Sequence, residues 1–194
     1  MVSLPQHDHT HEGPQCSFQL SDTAVRVQFI LRLAVNGIIE ALNDSQVAVA
    51  RMLFEEYAAS IDTDLCFQSF AQELAGLPGK YAPPKGGLFV AFIGEQPVGC
   101  VALRPTDQAG IAELKRLYVR SIARGRKIGL ALTQHAIGRA REAGYDRVRL
   151  DTLPSMQDAQ RLYRWLGFKE IPAYTYNPVP DVVYMELQLQ PGEA

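Results

Sequence analysis

Between Glu113 and Arg141 this 194-residue chain carries eight basic residues (Lys115, Arg116, Arg120, Arg124, Arg126, Lys127, Arg139 and Arg141) against a single acid, Glu113. At their centre lies Arg124-Gly125-Arg126-Lys127-Ile128-Gly129. An alternating segment, Ile111 to Val119, precedes it, and Ile128, Leu132, Ala136 and Ala140 follow at helical spacing. A strand that turns into a helix here leaves the first helical N–H groups without partners and places the positive end of the helix dipole at the turn. Such groups bind phosphate oxygens. Gly125 and Gly129 allow tight turning and close approach. Arg124, Arg126 and Lys127 can add charge-assisted bonds. Alone, the turn reads equally as an anion seat or as an ordinary helix start. It lacks the GxxxxGK[ST] of a P-loop and the GxGxxG of a dinucleotide fold.

The surrounding elements must hold that turn. Phe29, Leu31, Leu33 and Val35 alternate as in a strand. Asn43, Asp44 and Ser45 start a helix with Val49, Leu53 and Tyr57 on one face. Asp62 or Asp64 caps a second helix through Leu74, ended by Gly76. Leu77 to Gly87 reads as a loop. Leu88–Ile93 and Val98–Arg104 form a hairpin across Gly94-Glu95-Gln96-Pro97. After the basic turn come a helix to Gly144, a strand Arg147–Thr152, a helix Gln157–Leu166 and strands Phe168–Ile171 and Val182–Leu189. This order predicts one α/β domain, residues 25–194, with a mixed sheet and helices on both faces. Residues 1–24 read as a flexible extension bearing His7, His9 and His11, which is either a solvated tail or a weak metal binder.

Composition narrows the classes. Hydrophobic residues make up 47% and charged residues 21%, with a net charge of -2. That balance and the lack of any RNA- or DNA-binding motif argue against nucleic acid and against an anionic membrane as partner. Cys16, Cys66 and Cys100 are odd in number and contain no CxxC, so neither a disulfide framework nor a zinc site is expected, and a reducing cytoplasm fits. Cys66 and Cys100 have no His–Asp setting and read as core. Val25 to Leu42 is interrupted by Arg26, Arg32, Asn36 and Glu40, too polar to span a bilayer.

The turn Arg124 to Gly129 resembles the (Arg/Gln)-x-x-Gly-x-(Gly/Ala) motif of the GCN5-related N-acetyltransferase (GNAT) family. Ala159-Gln160-Arg161-Leu162-Tyr163-Arg164-Trp165-Leu166-Gly167-Phe168 resembles that family's Ala-x-x-Leu-Tyr-x-x-x-Gly-Phe. The element order from about Phe29 to Leu189 agrees. Two positions depart from the pattern. Lys127 replaces the first motif glycine, and Met156 stands where the family often has Asn.

The resemblance implies a GNAT-like, largely antiparallel sheet and direct acetyl transfer from acetyl-CoA to an amine, with no metal. It implies that Leu117, Tyr118, Val119, Arg124, Gly125, Arg126, Lys127, Ile128, Gly129 and Leu130 line the cofactor. The amides of Ile128, Gly129 and Leu130 would face the diphosphate. In the family this strand splays from its neighbour near a bulge, so the Val119 N–H would meet the thioester carbonyl. Glu113, eleven residues before Arg124, matches a family base acting through water, or else it is a strand-surface acid paired with Lys115 or Arg116. Tyr163 matches a family general acid, or else it packs in the core. Tyr81, Tyr174 and Tyr176 are the acceptor candidates, as an aromatic wall or as half-buried surface residues. A small-molecule amine is the favoured acceptor. A protein lysine or a non-catalytic acyl-CoA sensor are the alternatives, and a homodimer is compatible with the chain.

Overall fold

The computed structural model describes residues 37–61 and 69–189. The expected extension, the strand at Phe29–Val35, Cys16, Cys66 and the start of the second helix at Asp62 or Asp64 lie outside them. The described elements are β1 (Gly37–Glu40), α1 (Asp44–Ser60), α2 (Phe70–Ala75), a 3-10 turn (Gly79–Tyr81), β2 (Gly87–Ile93), β3 (Gln96–Pro105), β4 (Ile111–Val119), a second 3-10 turn (Ser121–Ala123), α3 (Ile128–Glu142), β5 (Arg147–Thr152), α4 (Gln157–Trp165), β6 (Lys169–Ile171) and β7 (Val183–Gln188).

Local chemistry explains most boundaries. The Asn43 side chain accepts from the Gln46 N–H at 3.0 Å, and the Gln46 side chain accepts from the Leu42 N–H at 2.9 Å. This reciprocal cap fixes the start of α1. The buried face of α1 is Val47, Ala50, Leu53 and Phe54, rotated from the expected Val49–Leu53–Tyr57 stripe. α2 ends at Gly76 as expected. The β2–β3 hairpin is tighter than expected. Gln96 and Pro97 pair with Ile93 and Phe92, leaving Gly94 and Glu95 as the turn, with Gly94 at φ 59.

The seven strands run β1-β2-β3-β4-β5-β7-β6. Every pair is antiparallel except β4 with β5. Alternation on the central strands feeds two cores. Phe89, Ala91, Val101 and Leu103 pack with α3, Tyr163 of α4 and Phe168 on one face. Leu88, Val90, Cys100 and Ala102 pack with α1 and Tyr81 on the other. The expected mixed sheet with helices on both faces is the observed one, and Cys100 is core as expected.

β4 carries the decisive irregularity. Cys100 pairs with Tyr118, yet Ala102 pairs with Lys115, so two β4 residues oppose Val101. Arg116 sits in the left-handed region at φ 58. This bulge reverses side-chain parity. Ala112 and Leu114 lie in the α3 core, as do Leu117 and Val119 beyond the bulge. Arg116 itself turns to the α1 face. There Glu73 accepts from its Nε at 2.9 Å and its Nη2 at 2.6 Å. Its guanidinium lies 5.0 Å from the Phe70 ring and 6.0 Å from that of Tyr57. Below the bulge, Ile111, Ala112 and Glu113 pair with Arg147, Val148 and Arg149. Above it β4 has no pairing with β5, and the two strands separate.

Gly99, opposite Val119, marks how tightly this region is packed. A Cβ there would lie 2.6 Å from the Tyr118 carbonyl oxygen, which is backbone and cannot swing aside. Gly99→Ala is therefore expected to destabilise by about 2 kcal/mol, read as a lowered thermal midpoint. Glu73 gives a second expectation. Burial raises its pKa, but the hydrogen bonds and charge of Arg116 outweigh burial and hold it below the ordinary carboxylate range. A depressed folded-state pKa stabilises fully above the unfolded value and is lost as pH falls through the folded one. Urea stability should be level down to about pH 5 and fall below about pH 4, with a shallower fall in Glu73→Gln.

Candidate active site

The separation of β4 from β5 opens a cleft of about 1140 Å³. One wall is the end of β4 and the basic turn, where Leu117, Tyr118, Val119, Arg124, Gly125, Lys127, Ile128, Gly129 and Leu130 all line it. The other wall is the start and outer face of α4, from Ser155 to Ala159 and on to Arg161, Leu162 and Trp165. Nine of the ten residues expected at the cofactor thus meet in one cleft. Arg126 does not line it; that side chain is carried outward on the exposed rim of the turn.

The turn leaves the start of α3 open. The first helical bond of α3 runs from the Ala131 N–H to the Lys127 carbonyl at 3.0 Å. The amides of Ile128, Gly129 and Leu130 therefore have no partner within the helix, and no side chain caps them. Lys127 is the N-cap residue and adopts φ 59, ψ 16. This is the left-handed conformation that favours glycine, which is the physical reason a motif glycine belongs there. Arg124 donates from Nε to the Val119 carbonyl at 3.2 Å and ties the turn to β4. The Arg120 N–H bonds the Val98 carbonyl at 2.9 Å. One residue earlier, the Val119 N–H faces away from β3 and into the gap.

At the inner end lies a smaller cavity of about 50 Å³. It shares Tyr57, Ile61, Leu117, Met156 and Ala159 with the main cleft. Tyr163 lines it, is buried, and packs against Phe168 with ring centroids 5.6 Å apart. Burial first, then the nearby Tyr57 and Asp151, push its phenol pKa well up, so the hydroxyl keeps its proton. Lys115 donates to Asp151 at 2.8 Å and Asn177 donates to the other Asp151 oxygen at 3.0 Å. Burial raises the Asp151 pKa, yet the Lys115 charge and these hydrogen bonds outweigh it and keep the carboxylate ionised. The Thr152 hydroxyl is buried at the same cavity with no hydrogen-bond partner. Met156 stands at the start of α4 without a side-chain cap and lines both spaces.

Glu113 is placed otherwise than a surface acid or an open base would be. It is buried and lines neither space. Arg104 donates to Oε2 at 2.7 Å and Tyr174 to Oε1 at 3.0 Å, with Lys115 3.7 Å away. Arg116 is given to Glu73 instead. The three tyrosines do not form one wall. Tyr81 is a core residue, edge-on to Phe54 and donating to Glu73 at 2.8 Å, because the 3-10 turn folds it inward. Tyr176 is 80% exposed and lines neither space. Tyr174 packs on Tyr184 with Arg149 over its ring at 5.3 Å. Asp151, Thr152, Leu162 and Trp165 line the two spaces without a sequence signal for a site role, whereas Asn177 belongs to the Tyr174–Pro180 loop that carries two of the acceptor candidates. A charged residue closing the strand Arg147–Thr152 was the one available signal, and it points to a partner rather than a role. Among the described residues no cluster of His, Cys, Asp or Glu could hold a metal ion.

The sequence carries the same assignment independently. Residues 49–168 match the model of the acetyltransferase (GNAT) family. The chain is 42% identical over 140 residues to an uncharacterised N-acetyltransferase of Schizosaccharomyces pombe, covering 72% of this chain and 86% of that one. It is 30% identical over 214 residues to an uncharacterised N-acetyltransferase of Dictyostelium discoideum, covering 79% and 98%. An acetyltransferase of the GNAT family from Staphylococcus aureus has the same fold, with a TM-score of 0.66 at 23% identity over 79% of this chain and 99% of that one. With a splayed sheet, an open helix start at the splay and an alignment that spans both, the chain belongs to the acetyltransferase (GNAT) family of acyl-CoA-dependent N-acyltransferases.

Proposed function

We propose that the protein moves an acetyl group from acetyl-CoA directly to the primary amine of a small molecule, within a ternary complex. One observation carries this reading. A single cleft runs from the unpartnered amides of α3 to a small inner cavity lined by Tyr163, Asp151 and Thr152. The amides of Ile128, Gly129 and Leu130, with Lys127 and Arg124 beside them, receive the diphosphate. The Val119 N–H supports the oxyanion as the amine nitrogen adds to the thioester carbon. The carbon–sulfur bond then breaks, and Tyr163 supplies a proton to the leaving thiolate.

The amine arrives mostly as ammonium, since alkyl amines titrate near pH ~10. Its proton needs a nearby acceptor. Asp151 is the carboxylate that lines the cavity, whereas Glu113 sits behind Lys115 and reaches the site through the Lys115–Asp151 pair. The geometry favours Asp151, through a water, over Glu113 as the base. The small volume of the inner cavity, and the way the Asn177 segment is tied across it, favour a slim acceptor over a protein lysine.

A thiol-release assay with acetyl-CoA over amino acids, polyamines, amino sugars and lysine peptides tests the reading; a flat signal throughout would sink it. Tyr163→Phe keeps the packing and should lower kcat by about 100-fold with little change in thermal midpoint. Asp151→Asn should lower kcat by about 100-fold across the working pH range, because the carboxylate is ionised throughout it, while Glu113→Gln should leave kcat nearly in place; the reverse result would return the base to Glu113. Lys127→Ala keeps the left-handed strain but removes the charge. It should raise KM for acetyl-CoA several-fold, most at low ionic strength, with kcat nearly unchanged.

A further inference from the structure

Trp165 is the one tryptophan of the chain. It is 64% exposed, although it closes the α4 wall of the cleft. We infer that its ring is the stacking platform for the adenine of coenzyme A, a binding role at a position that the second motif leaves unspecified. This rests on the acetyl-CoA reading above.

The argument is one of order along the cleft. Its reacting end is where the two cavities share Leu117, Met156 and Ala159, beside the first turn of α4. The diphosphate seat is the start of α3. It faces the middle of α4, because a Cβ on Gly129 would lie 3.7 Å from the Leu162 side chain. Asp158, Leu162 and Trp165 lie at positions i, i+4 and i+7 and form one stripe on α4, all lining the cleft. Trp165 is therefore about one helical turn, roughly 5 Å, beyond the diphosphate seat and on the side away from the reacting end. Coenzyme A has the same order: thioester, pantetheine arm, diphosphate, nucleoside. Tyr163, two residues earlier, turns into the core against Phe168. Trp165 makes no such packing and presents an open apolar ring where the flat base must lie. Bases stack on aromatic rings with little dependence on their identity.

Because Trp165 is the sole tryptophan, its emission reports on this contact directly. The full chain is titrated with coenzyme A, with adenosine bisphosphate corresponding to its nucleotide half, and with phosphopantetheine, while calorimetry measures binding of each. Coenzyme A and the adenosine bisphosphate should quench the emission, and phosphopantetheine should bind without quenching. Trp165→Ala should weaken coenzyme A by about 10-fold, within the range stacking supports, and leave phosphopantetheine affinity unchanged. Trp165→Phe should restore most of the loss. If coenzyme A binds by calorimetry while the emission stays constant, or if Trp165→Ala binds it like the parent, the stacking assignment is overturned and the acetyl-CoA reading stands. If coenzyme A does not bind at all, both are overturned.

Discussion

The site depends on the bulge at Arg116. Without it, residue 116 would follow Ala112 and Leu114 into the α3 core, and a guanidinium would be buried there unpaired. With it, Leu117 and Val119 occupy that face, and Arg116 reaches Glu73 on the other. The left-handed φ costs on the order of 1 kcal/mol for a non-glycine residue. The two hydrogen bonds to Glu73 and the flanking Phe70 and Tyr57 rings offset that cost. The bulge also increases local twist, and β4 leaves β5 within a few residues of it. One side chain thus joins three features: the parity of β4, the docking of α2, and the gap that becomes the cleft.

Behind β4 the structure pairs charges that are buried or, for Arg104, partly buried. Arg104 with Glu113, Lys115 with Asp151, and Arg116 with Glu73 form three such pairs across the sheet face. Removing one member of a buried pair leaves a charge without solvent or partner, which costs far more than the pair contributes. The network is consequently stiff, and it fixes the carboxylates in position. Asp151 is held ionised at the edge of the inner cavity, and Glu113 is held one step back from it. Tyr174 and Asn177 attach the β6–β7 connection to those two carboxylates. The segment that closes the acceptor side is therefore positioned by the same charges that line it.

Much of this was readable from residue types. The alternation of Ile111–Val119, the Gly/Arg turn and the Leu162-Tyr163 segment located both walls of the cleft, because strand period, helix start and helix face are local properties. What was not readable is non-local. The pairing of Glu113 with Arg104 follows from hairpin register, in which Arg104 stands directly across from Glu113. Tyr81 looked like a loop residue because Leu77–Gly87 is rich in Pro and Gly, yet the 3-10 turn folds it under α1. β1 was hidden because Gly37–Glu40 reads as the tail of a longer apolar run and is a strand through its pairing with β2. Trp165 fills an unspecified position of a motif, where sequence pattern carries no expectation.

Lys127 shows how the anion seat tolerates a departure from its pattern. A glycine at this position is used for its freedom at positive φ, not for the absence of a side chain as such. Lysine adopts the same conformation, so the amides of Ile128 to Leu130 remain open. Its side chain is exposed on the cleft rim, where no core atom opposes it. The substitution thus trades about 1 kcal/mol of backbone strain for an exposed positive charge beside the proposed diphosphate seat. Arg126 is turned out from the cleft, so the turn's cleft-lining cations are Arg124 and Lys127. Arg124 is already tied to the Val119 carbonyl, which leaves Lys127 as the freer of the two to meet a diphosphate in the proposed seat.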